Sequence, residues 1–426
     1  MSRLVFEASR ELPLVSVSVS FAGGAVHEAP EQGGLARIVA RMLRRGADGL
    51  GSDAIEIAVD ELGGELGVDV GLGVTSIYFE CLSRSVEPMS ELVARLLARP
   101  TFAADELARL LRQTESEIVA ARDDDGFLAS RALRRQLFAG HPHGRRVGGS
   151  LACVRALVPD DARRFHARHY TRDNAIVAIS GDLDGSGAER VAATLLGGLP
   201  AGEPVAYPVP EPTLPEGRRL VCVDKPERTQ TQMVLGTLGS HPADEDHIAL
   251  IAANTAFGGS MSSRLFQEVR GKRGWSYGAS SSLGFARVRE AFTMWTAPAV
   301  EDAADCLALE LGLLRDFCRE GVAQAELDHA QSYLRRSYAF EIDTARKRVG
   351  QAVGRALLGL PEDYHARYLE RIAAVTREQA NAAVRRRLSD DRLWVSVVAT
   401  ADESAAALAG AVPDLVETVV VPFDAE

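Results

Sequence analysis

The sequence predicts an α+β protein with two homologous domains, each a mainly antiparallel sheet covered by helices. Three observations predict it: a proline-rich segment near the middle, an ungapped similarity between the two halves, and separate groups of strand-like and helix-like patterns in each half. The chain has 426 residues, of which 46% are hydrophobic and 25% charged. This composition is typical of a folded globular protein of two or three domains.

The proline-rich segment LPAGEPVAYPVPEPTLPEG lacks helical and strand periodicity. Six of the eighteen prolines lie in it: Pro200, Pro204, Pro208, Pro210, Pro212 and Pro215. Such a segment favours an extended, semi-rigid form. We therefore predict an N-terminal domain at 1–199, a linker at 200–217 and a homologous C-terminal domain at 218–426.

The two halves repeat each other. The stretch ELARLLRQTESEIVAARDDDGFLASRALRRQLFAG from Glu106 aligns without a gap with ELDHAQSYLRRSYAFEIDTARKRVGQAVGRALLGL from Glu326. Polar turn residues also precede a strand-like alternation near both Asp173 and Asp391. A period of half the chain is too long for a solenoid and indicates a duplicated domain.

The first half shows the predicted order of elements. Apolar alternation at 17–21 predicts a strand, which is followed by a helix after Gly33 and by a second strand at 71–82. Helical patterns then cover 90–97 and 106–121. A closing strand completes the half, so we expect helices to cover a sheet.

Charge and cysteine usage exclude several classes of protein. The net charge is −11 and the pI near 5.5, without a long basic run, so we expect no nucleic-acid partner. The five cysteines have no C-x-x-C spacing and favour reduced thiols in a cytoplasmic protein. The N-terminal pattern is strand-like, and no apolar run reaches the ~18 residues of a membrane helix, so we expect no membrane partner.

The segment GGLARIVARMLRRG, residues 33–46, has the frame of a metal-binding helix. It resembles the pitrilysin/insulinase family of zinc metallopeptidases, particularly the two-domain subunits related to mitochondrial processing peptidase. The family helix reads roughly G-L-A-H-x-x-E-H-M-L-x-x-G, with two zinc-binding histidines and a glutamate that activates water. The flanking residues fit that frame, but the three functional positions hold Arg37, Ala40 and Arg41.

The resemblance implies that Glu117, in SEIVAARDDD, stands at the position of the third metal ligand. One carboxylate cannot hold a catalytic zinc, which needs about three protein ligands, and arginine stays cationic. We therefore assign no metal to this chain and expect Arg37 or Arg41 to form an ion pair with Glu117. The alternative is that Arg37, Arg41, Arg44 and Arg45 form a solvated basic stripe beside an ordinary surface acid.

The segment NTAFGGSMSSRLFQEVRGKRGWSYGASSSLG, residues 254–284, predicts a helix that starts at Ser262 or Ser263, stops at Gly274 and is followed by a strand. It resembles the second-domain motif G-G-x-x-S-S-R-L-F-x-x-x-R-x-x-x-G-x-x-Y of the same family. In the family, the late arginine and the tyrosine hold the peptide substrate near the scissile bond. Arg270 and Tyr277 occupy these positions.

A structural alternative stays open for these two residues: Arg270 pairs with an acid such as Glu268 or Glu290, and Tyr277 is a half-buried strand residue. The histidines also have an ordinary interpretation. His141 and His143 match an H-P-x-G loop of the family, and His166 and His169 indicate packing or surface positions.

These features predict the non-catalytic, substrate-binding subunit of a heterodimeric zinc peptidase, inactive alone. The resemblance implies a homologous partner subunit that carries the H-x-x-E-H helix and zinc, and a peptide as substrate. It also implies that the two domains of this chain enclose half of a peptidase chamber. The alternative is a metal-free structural or peptide-binding scaffold of the same fold. A self-contained hydrolase is less favoured, because no G-x-S-x-G elbow or Cys/His arrangement supports it.

Overall fold

The computed structural model of the chain describes residues 3–207 and 209–425. Pro208 of the predicted linker and residues 1, 2 and 426 of the predicted domains lie outside the described residues. Within the described ranges, no helix has the length and apolar character needed to cross a membrane.

The strands of the described chain form two large sheets and one short hairpin. In chain order they are β1 (Arg3–Ala8), β2 (Leu14–Ala22), β3 (Gly46–Ala47), β4 (Leu50–Gly51), β5 (Glu65–Val70), β6 (Val74–Leu82), β7 (Ala175–Gly181), β8 (Gly217–Asp224), β9 (Gln232–Leu238), β10 (Ala279–Leu283), β11 (Ala291–Thr296), β12 (Arg392–Ala399) and β13 (Leu415–Pro422).

The α-helices of the same residues cover the sheets. They are α1 (Leu35–Met42), α2 (Ser52–Glu61), α3 (Val86–Ala98), α4 (Ala104–Ala120), α5 (Asp125–Leu137), α6 (Leu151–Ala156), α7 (Pro159–His169), α8 (Gly185–Gly197), α9 (His247–Phe257), α10 (Arg264–Phe266), α11 (Ala303–Glu320), α12 (Gln324–Glu341), α13 (Ala345–Leu358), α14 (Tyr368–Ala374), α15 (Arg377–Arg387) and α16 (Ala401–Gly410).

The two large sheets have equivalent topologies. The first has the strand order β1-β7-β2-β6-β5, and the second has β8-β12-β9-β11-β10 with β13 added beside β8. In both, the strand pair at the start of the order is parallel and the next three pairs are antiparallel. The predicted fold class, two homologous α+β domains with mainly antiparallel sheets, is therefore confirmed.

The helices of the sequence repeat keep a constant offset. α4 and α12 begin at residues 104 and 324, and α5 and α13 begin at 125 and 345, an offset of 220 residues for both pairs. The ungapped alignment of the two halves thus corresponds to equivalent helix pairs.

The chain divides into two compact units that exchange segments. Unit 1 consists of 1–119, 145–209 and 340–357, and unit 2 consists of 120–144, 210–339 and 358–426. The boundary between 145–209 and 210–339 falls inside the proline-rich segment, but each unit also contains a segment from the other side of that boundary. The segment with α5 belongs to unit 2, and most of α13 belongs to unit 1.

Each exchanged helix packs on the sheet of the unit that it joins. In unit 1, Val349 and Val353 of α13 pack against Ala178 of β7 and the partly buried Val5 and Ile176. In unit 2, the apolar face of α5, including Leu128, Leu133 and Leu137, packs against β8, β9 and β12. The remaining helices of each unit supply its larger core.

The core of unit 2 contains a buried carboxyl group. Glu310 of α11 is fully buried, and its Oε2 accepts a hydrogen bond from Thr296 of β11 at 3.2 Å. Its other oxygen has no hydrogen-bond partner among the described residues. Burial, partly opposed by the Thr296 hydrogen bond, raises the pKa of Glu310 to about 8 from its ordinary value of 4.5.

Replacing Glu310 should change how stability depends on pH. The unfolded chain loses this proton near pH 4.5, whereas the folded chain keeps it up to about pH 8, so the contribution of Glu310 to stability falls as pH rises through this window. The slope is at most about 1.4 kcal/mol per pH unit for one proton. Glu310→Gln carries no titrating proton and should unfold with a flatter pH profile.

Denaturant unfolding followed by tryptophan fluorescence measures this effect, because Trp275, Trp295 and Trp394 all belong to unit 2. Glu320→Gln, at the exposed end of the same helix, is the matched control and should follow the wild type. Parallel pH profiles for wild type and Glu310→Gln would contradict the prediction.

Candidate functional site

The start of α1 is fixed by a buried acid and a glycine. Gly34 precedes the helix with a φ of 96°, and a Cβ at this position would lie 3.0 Å from the carbonyl oxygen of Gly148. The buried Glu28 carboxyl accepts hydrogen bonds from the N–H groups of Gly34 at 3.0 Å and Ala36 at 2.7 Å. Burial, opposed by these bonds, raises the pKa of Glu28 to about 7.

Arg37 and Arg41 lie one turn apart on α1 and face Glu117 of α4. Arg37 donates one hydrogen bond to the Glu117 carboxylate at 2.9 Å. Arg41 donates two, at 3.0 and 2.9 Å, and a third to Thr114 at 3.3 Å. The expected ion pair at Glu117 is therefore confirmed, and both arginines take part in it.

The charges of this cluster hold the carboxylate ionised. Burial alone would raise the pKa of Glu117, but the hydrogen bonds and positive charges of Arg41 and Arg37 outweigh it and lower the pKa below the ordinary value. The side chains of Arg37, Arg41 and Glu117 are 35%, 18% and 33% exposed, so solvent screens the cluster in part.

The residues at this position do not fit a zinc ion. A catalytic zinc takes about three protein ligands with N, O or S lone pairs, and a guanidinium group offers none. Ala40, at the position of the family's catalytic glutamate, is fully buried and has no polar side-chain atom. Across residues 3–207 and 209–425, no group of three His, Cys, Asp or Glu side chains is arranged to hold a metal.

The next two arginines also form ion pairs instead of an unpaired, solvated stripe. Arg44 pairs with Glu56 at 2.8 Å. Arg45 lies 3.5 Å from Glu106 and donates a hydrogen bond to Gln113 at 2.9 Å. The basic residues of this helix and of the turn that follows it are thus matched by acids from α2 and α4.

In unit 2, Arg270 and Tyr277 lie together. The guanidinium carbon of Arg270 is 4.5 Å from the centroid of the Tyr277 ring and 5.2 Å from that of Phe266. Such cation–π contacts orient a guanidinium group without neutralising it. Tyr277 is 85% exposed, so the pair is open to solvent.

The local backbone differs from the predicted helix and strand. α10 covers only three residues and continues as a π-helical turn, Gln267–Gly271, which carries Arg270. Gly274 has a φ of 69°, and β10 begins only at Ala279. The predicted start of the helix at Ser263 is confirmed, because Ser263 is the N-cap of α10. The helix does not continue as an α-helix to Gly274, and the strand begins at Ala279 instead of Trp275. π-Turns are rare and are frequent at functional sites.

The structural alternative for this pair is also wrong. Glu268 pairs with Lys272 at 2.5 Å and with Arg273 at 2.8 Å, not with Arg270. Within the described part of the chain Arg270 forms no ion pair, and Tyr277 is exposed instead of half-buried. The guanidinium group of Arg270 and the hydroxyl of Tyr277 are therefore available to a ligand.

The other proposed acid, Glu290, serves the packing of unit 2. Its carboxylate accepts hydrogen bonds from Arg134 at 2.9 Å and is 2.9 Å from Nδ1 of the buried His143. Burial raises the pKa of Glu290, but His143 and Arg134 outweigh that effect and hold it at about 2. In unit 1, burial lowers the pKa of both His166 and His169 to about 4, so both pack as neutral rings.

Sequence reasoning missed Glu28 and Thr114, which shape these positions, and the contact of Phe266 with Arg270. Thr114 and Phe266 could have been found from spacing, because they lie three residues before Glu117 and four before Arg270, on the same helical face. Glu28 gives no such signal, since its function as a cap depends on burial by residues distant in sequence.

Comparisons with known proteins agree with this architecture. A model described as insulinase, peptidase family M16, matches residues 3–150, and one described as peptidase M16 inactive domain matches 156–334. An uncharacterized zinc protease of Mycobacterium tuberculosis is 30% identical over 392 residues, covering 91% of this chain and 89% of that protein. A non-peptidase homologue of Helicobacter pylori is 22% identical, covering 93% and 91%.

Among solved structures, the peptidase M16 inactive domain from Pseudomonas fluorescens has a TM-score of 0.87 and 28% identity, covering 93% of this chain and 95% of that one. The fold and the arginine-bearing helix define a peptidase-like protein of non-catalytic type. The chain belongs to peptidase family M16, the insulinase family, as the resemblance in the sequence predicts.

Removing the carboxylate at Glu117 should destabilise the contact between α1 and α4. Glu117→Gln leaves the two arginines without their anion, and we expect a loss of about 1–2 kcal/mol, below the value for a fully buried pair because solvent screens the cluster. Amide hydrogen exchange of α1 and α4 in the native protein measures the loss locally.

Glu115→Gln is the matched control, because Glu115 lies two residues earlier on α4 and pairs with the more exposed Arg155. It should cost less than about 0.5 kcal/mol. Equal exchange rates in the two variants would refute a structural contribution of the cluster.

Restoring the family's residues should create a metal site. In Arg37→His/Ala40→Glu/Arg41→His, two imidazoles one turn apart face the Glu117 carboxylate, which α4 already delivers to α1. We expect this variant to bind about one zinc per chain after dialysis, measured by elemental analysis of the protein. Adding Glu117→Ala should weaken that binding, and a folded triple variant that binds no zinc would show that the helices are not arranged as in a metal-binding member.

Proposed function

We propose that this chain is the non-catalytic, substrate-binding subunit of a heterodimeric zinc metallopeptidase that cleaves peptides. The observation that carries the proposal is the contrast between the two arginines of α1 and Arg270 of unit 2. Arg37 and Arg41 are held by Glu117, whereas Arg270 has no acidic partner among the described residues and stacks on an exposed tyrosine. The paired arginines Arg37 and Arg41 are suited to stabilising the contact between α1 and α4, and the unpaired Arg270 is suited to binding a ligand.

Peptide binding suits the chemistry of Arg270 and Tyr277. A guanidinium group can donate forked hydrogen bonds to a carbonyl or carboxylate, and a tyrosine hydroxyl can donate to a carbonyl oxygen or to a developing oxyanion. Because neither residue is a nucleophile or a metal ligand here, the pair alone performs no hydrolysis. Catalysis in this proposal belongs to a homologous partner subunit with an intact H-x-x-E-H helix and its zinc.

Family membership supports a peptidase-like protein of non-catalytic type, through the match of 156–334 to an inactive-domain model. The partner, the substrate and a cytoplasmic location are our proposals. The location is supported by the free thiols Cys81, Cys153, Cys222, Cys306 and Cys318. A neighbouring reading frame that encodes an H-x-x-E-H homologue, and its co-purification with this chain, would support the heterodimer.

The alternative proposal is a metal-free scaffold of the same fold. It is favoured by the description of the Helicobacter pylori relative as a non-peptidase homologue. A scaffold would assemble with its partner without any contribution of Arg270 or Tyr277 to peptide cleavage. The two proposals therefore differ in one measurable outcome.

The test is to mix the wild type, Arg270→Ala or Tyr277→Phe with the zinc-bearing homologue and to measure complex formation and peptide cleavage separately. Losing one positioned donor typically costs ~10²–10³ in rate. We expect cleavage to fall by this order while association is unchanged. The isolated wild-type chain should cleave no peptide.

Tyr333→Phe and Arg335→Ala are matched controls, because both are exposed residues of unit 2 outside the motif. They should leave both readouts unchanged. Full cleavage by a complex that contains Arg270→Ala would refute the substrate-binding assignment, and activity lost only through failed assembly would indicate a structural residue.

A further inference from the structure

A cavity of unit 2 is lined by basic residues that the proposed function does not use. It has a volume of about 360 Å³, and five of its lining residues are arginines: Arg289, Arg385, Arg386, Arg387 and Arg392. These five residues form what we term the arginine pocket. It lies beside the last residues of β9 and the first residue of β12. Tyr277 precedes β10, whose first residue pairs with the last residue of β11, so the pocket is separate from the Arg270–Tyr277 pair.

Two of the five arginines are neutralised by acids. Arg387 pairs with Asp244 and Asp246, both at 2.8 Å. Arg386 shares Asp246 at 3.1 Å and extends into solvent. These pairs anchor the end of α15 and leave little positive charge for a ligand.

The other three arginines keep donors for a ligand. Arg385 is exposed and forms no hydrogen bond or ion pair with the described residues. Arg392 has one long contact, 3.5 Å, with Glu216, whose side chain is 84% exposed. Arg289 donates from Nε to the backbone oxygen of Gly239 at 3.0 Å and from Nη2 to that of Arg387 at 3.4 Å, and its Nη1 forms no hydrogen bond with the described residues.

The cavity is electrostatically suited to an anion. The carbonyl oxygen of Arg387, at the negative end of the α15 dipole, is covered by Arg289. Nearby Glu211 accepts only the backbone N–H of Arg289, at 3.4 Å. Burial, followed by the positive charges of Arg387 and Arg392, lowers the pKa of Arg289, although Glu211 and Asp244 oppose this. Burial is the largest of these effects, and Arg387 is the largest single charge effect at Arg289.

We propose that the arginine pocket binds a small phosphate compound with more than one negative charge. Guanidinium groups match phosphate oxygens with paired hydrogen bonds, and three of them with open donors surround one cavity. The volume is near the lower limit for small-molecule sites, which suits a ligand of the size of pyrophosphate or a mononucleotide. The arginine lining disfavours an apolar ligand.

The test is calorimetric titration of the full-length protein with pyrophosphate, at constant ionic strength. The double variant Arg385→Gln/Arg392→Gln removes two of the three open cations at exposed positions, so folding should be unaffected. Because a hydrogen bond to a charged group typically contributes about tenfold in affinity, we expect the double variant to bind at least tenfold more weakly.

Arg319→Gln/Arg335→Gln is the matched control, since both residues are exposed arginines of unit 2 that do not line the pocket. It should bind pyrophosphate as the wild type does. Citrate, a multiply charged carboxylate, should bind more weakly than pyrophosphate. Absence of saturable binding, equal affinity in the pocket variant, or equal affinity for citrate would each overturn the proposal.

Discussion

The ion cluster of Arg37, Arg41 and Glu117 is the constraint on which the first unit's site depends. Two cations one turn apart on a helix repel each other, and the helix keeps this face only because α4 delivers a carboxylate between them. A metal would join the same two helices through lone pairs, whereas this cluster joins them through charge. The contact between α1 and α4 thus rests on side chains of which only Glu117 could offer lone pairs to a metal.

In unit 2 the corresponding contrast is Arg270, whose guanidinium group is held in place without an acidic partner among the described residues. The rings of Phe266 and Tyr277 contact the Arg270 guanidinium group without neutralising it. Glu268, the nearest acid in sequence, is paired with Lys272 and Arg273. The two units therefore treat their arginines differently, although their sheets have equivalent topologies.

Much of this architecture could be predicted from the sequence, because periodicity and spacing are local. The helix pairs of both halves and the proline-rich segment follow from patterns of a few residues, whereas the ion pair at Glu117 was predicted from the family resemblance. The π-turn at Arg270 could not be predicted, since tertiary packing inserts it into an ordinary helical pattern. The apolar face of a helix does not show which sheet the helix will pack on. The sequence therefore could not predict that α5 joins unit 2 and that most of α13 joins unit 1.

That exchange has a consequence for biosynthesis. The helix that covers Val5, Ile176 and Ala178 in unit 1 begins at Ala345, so a ribosome must translate most of unit 2 before unit 1 can be completed. Until then, an apolar sheet surface of the earlier unit lacks its cover and is open to aggregation or chaperone binding. The nascent chain therefore cannot complete unit 1 before most of unit 2 has been translated, although unit 1 holds most of the N-terminal residues.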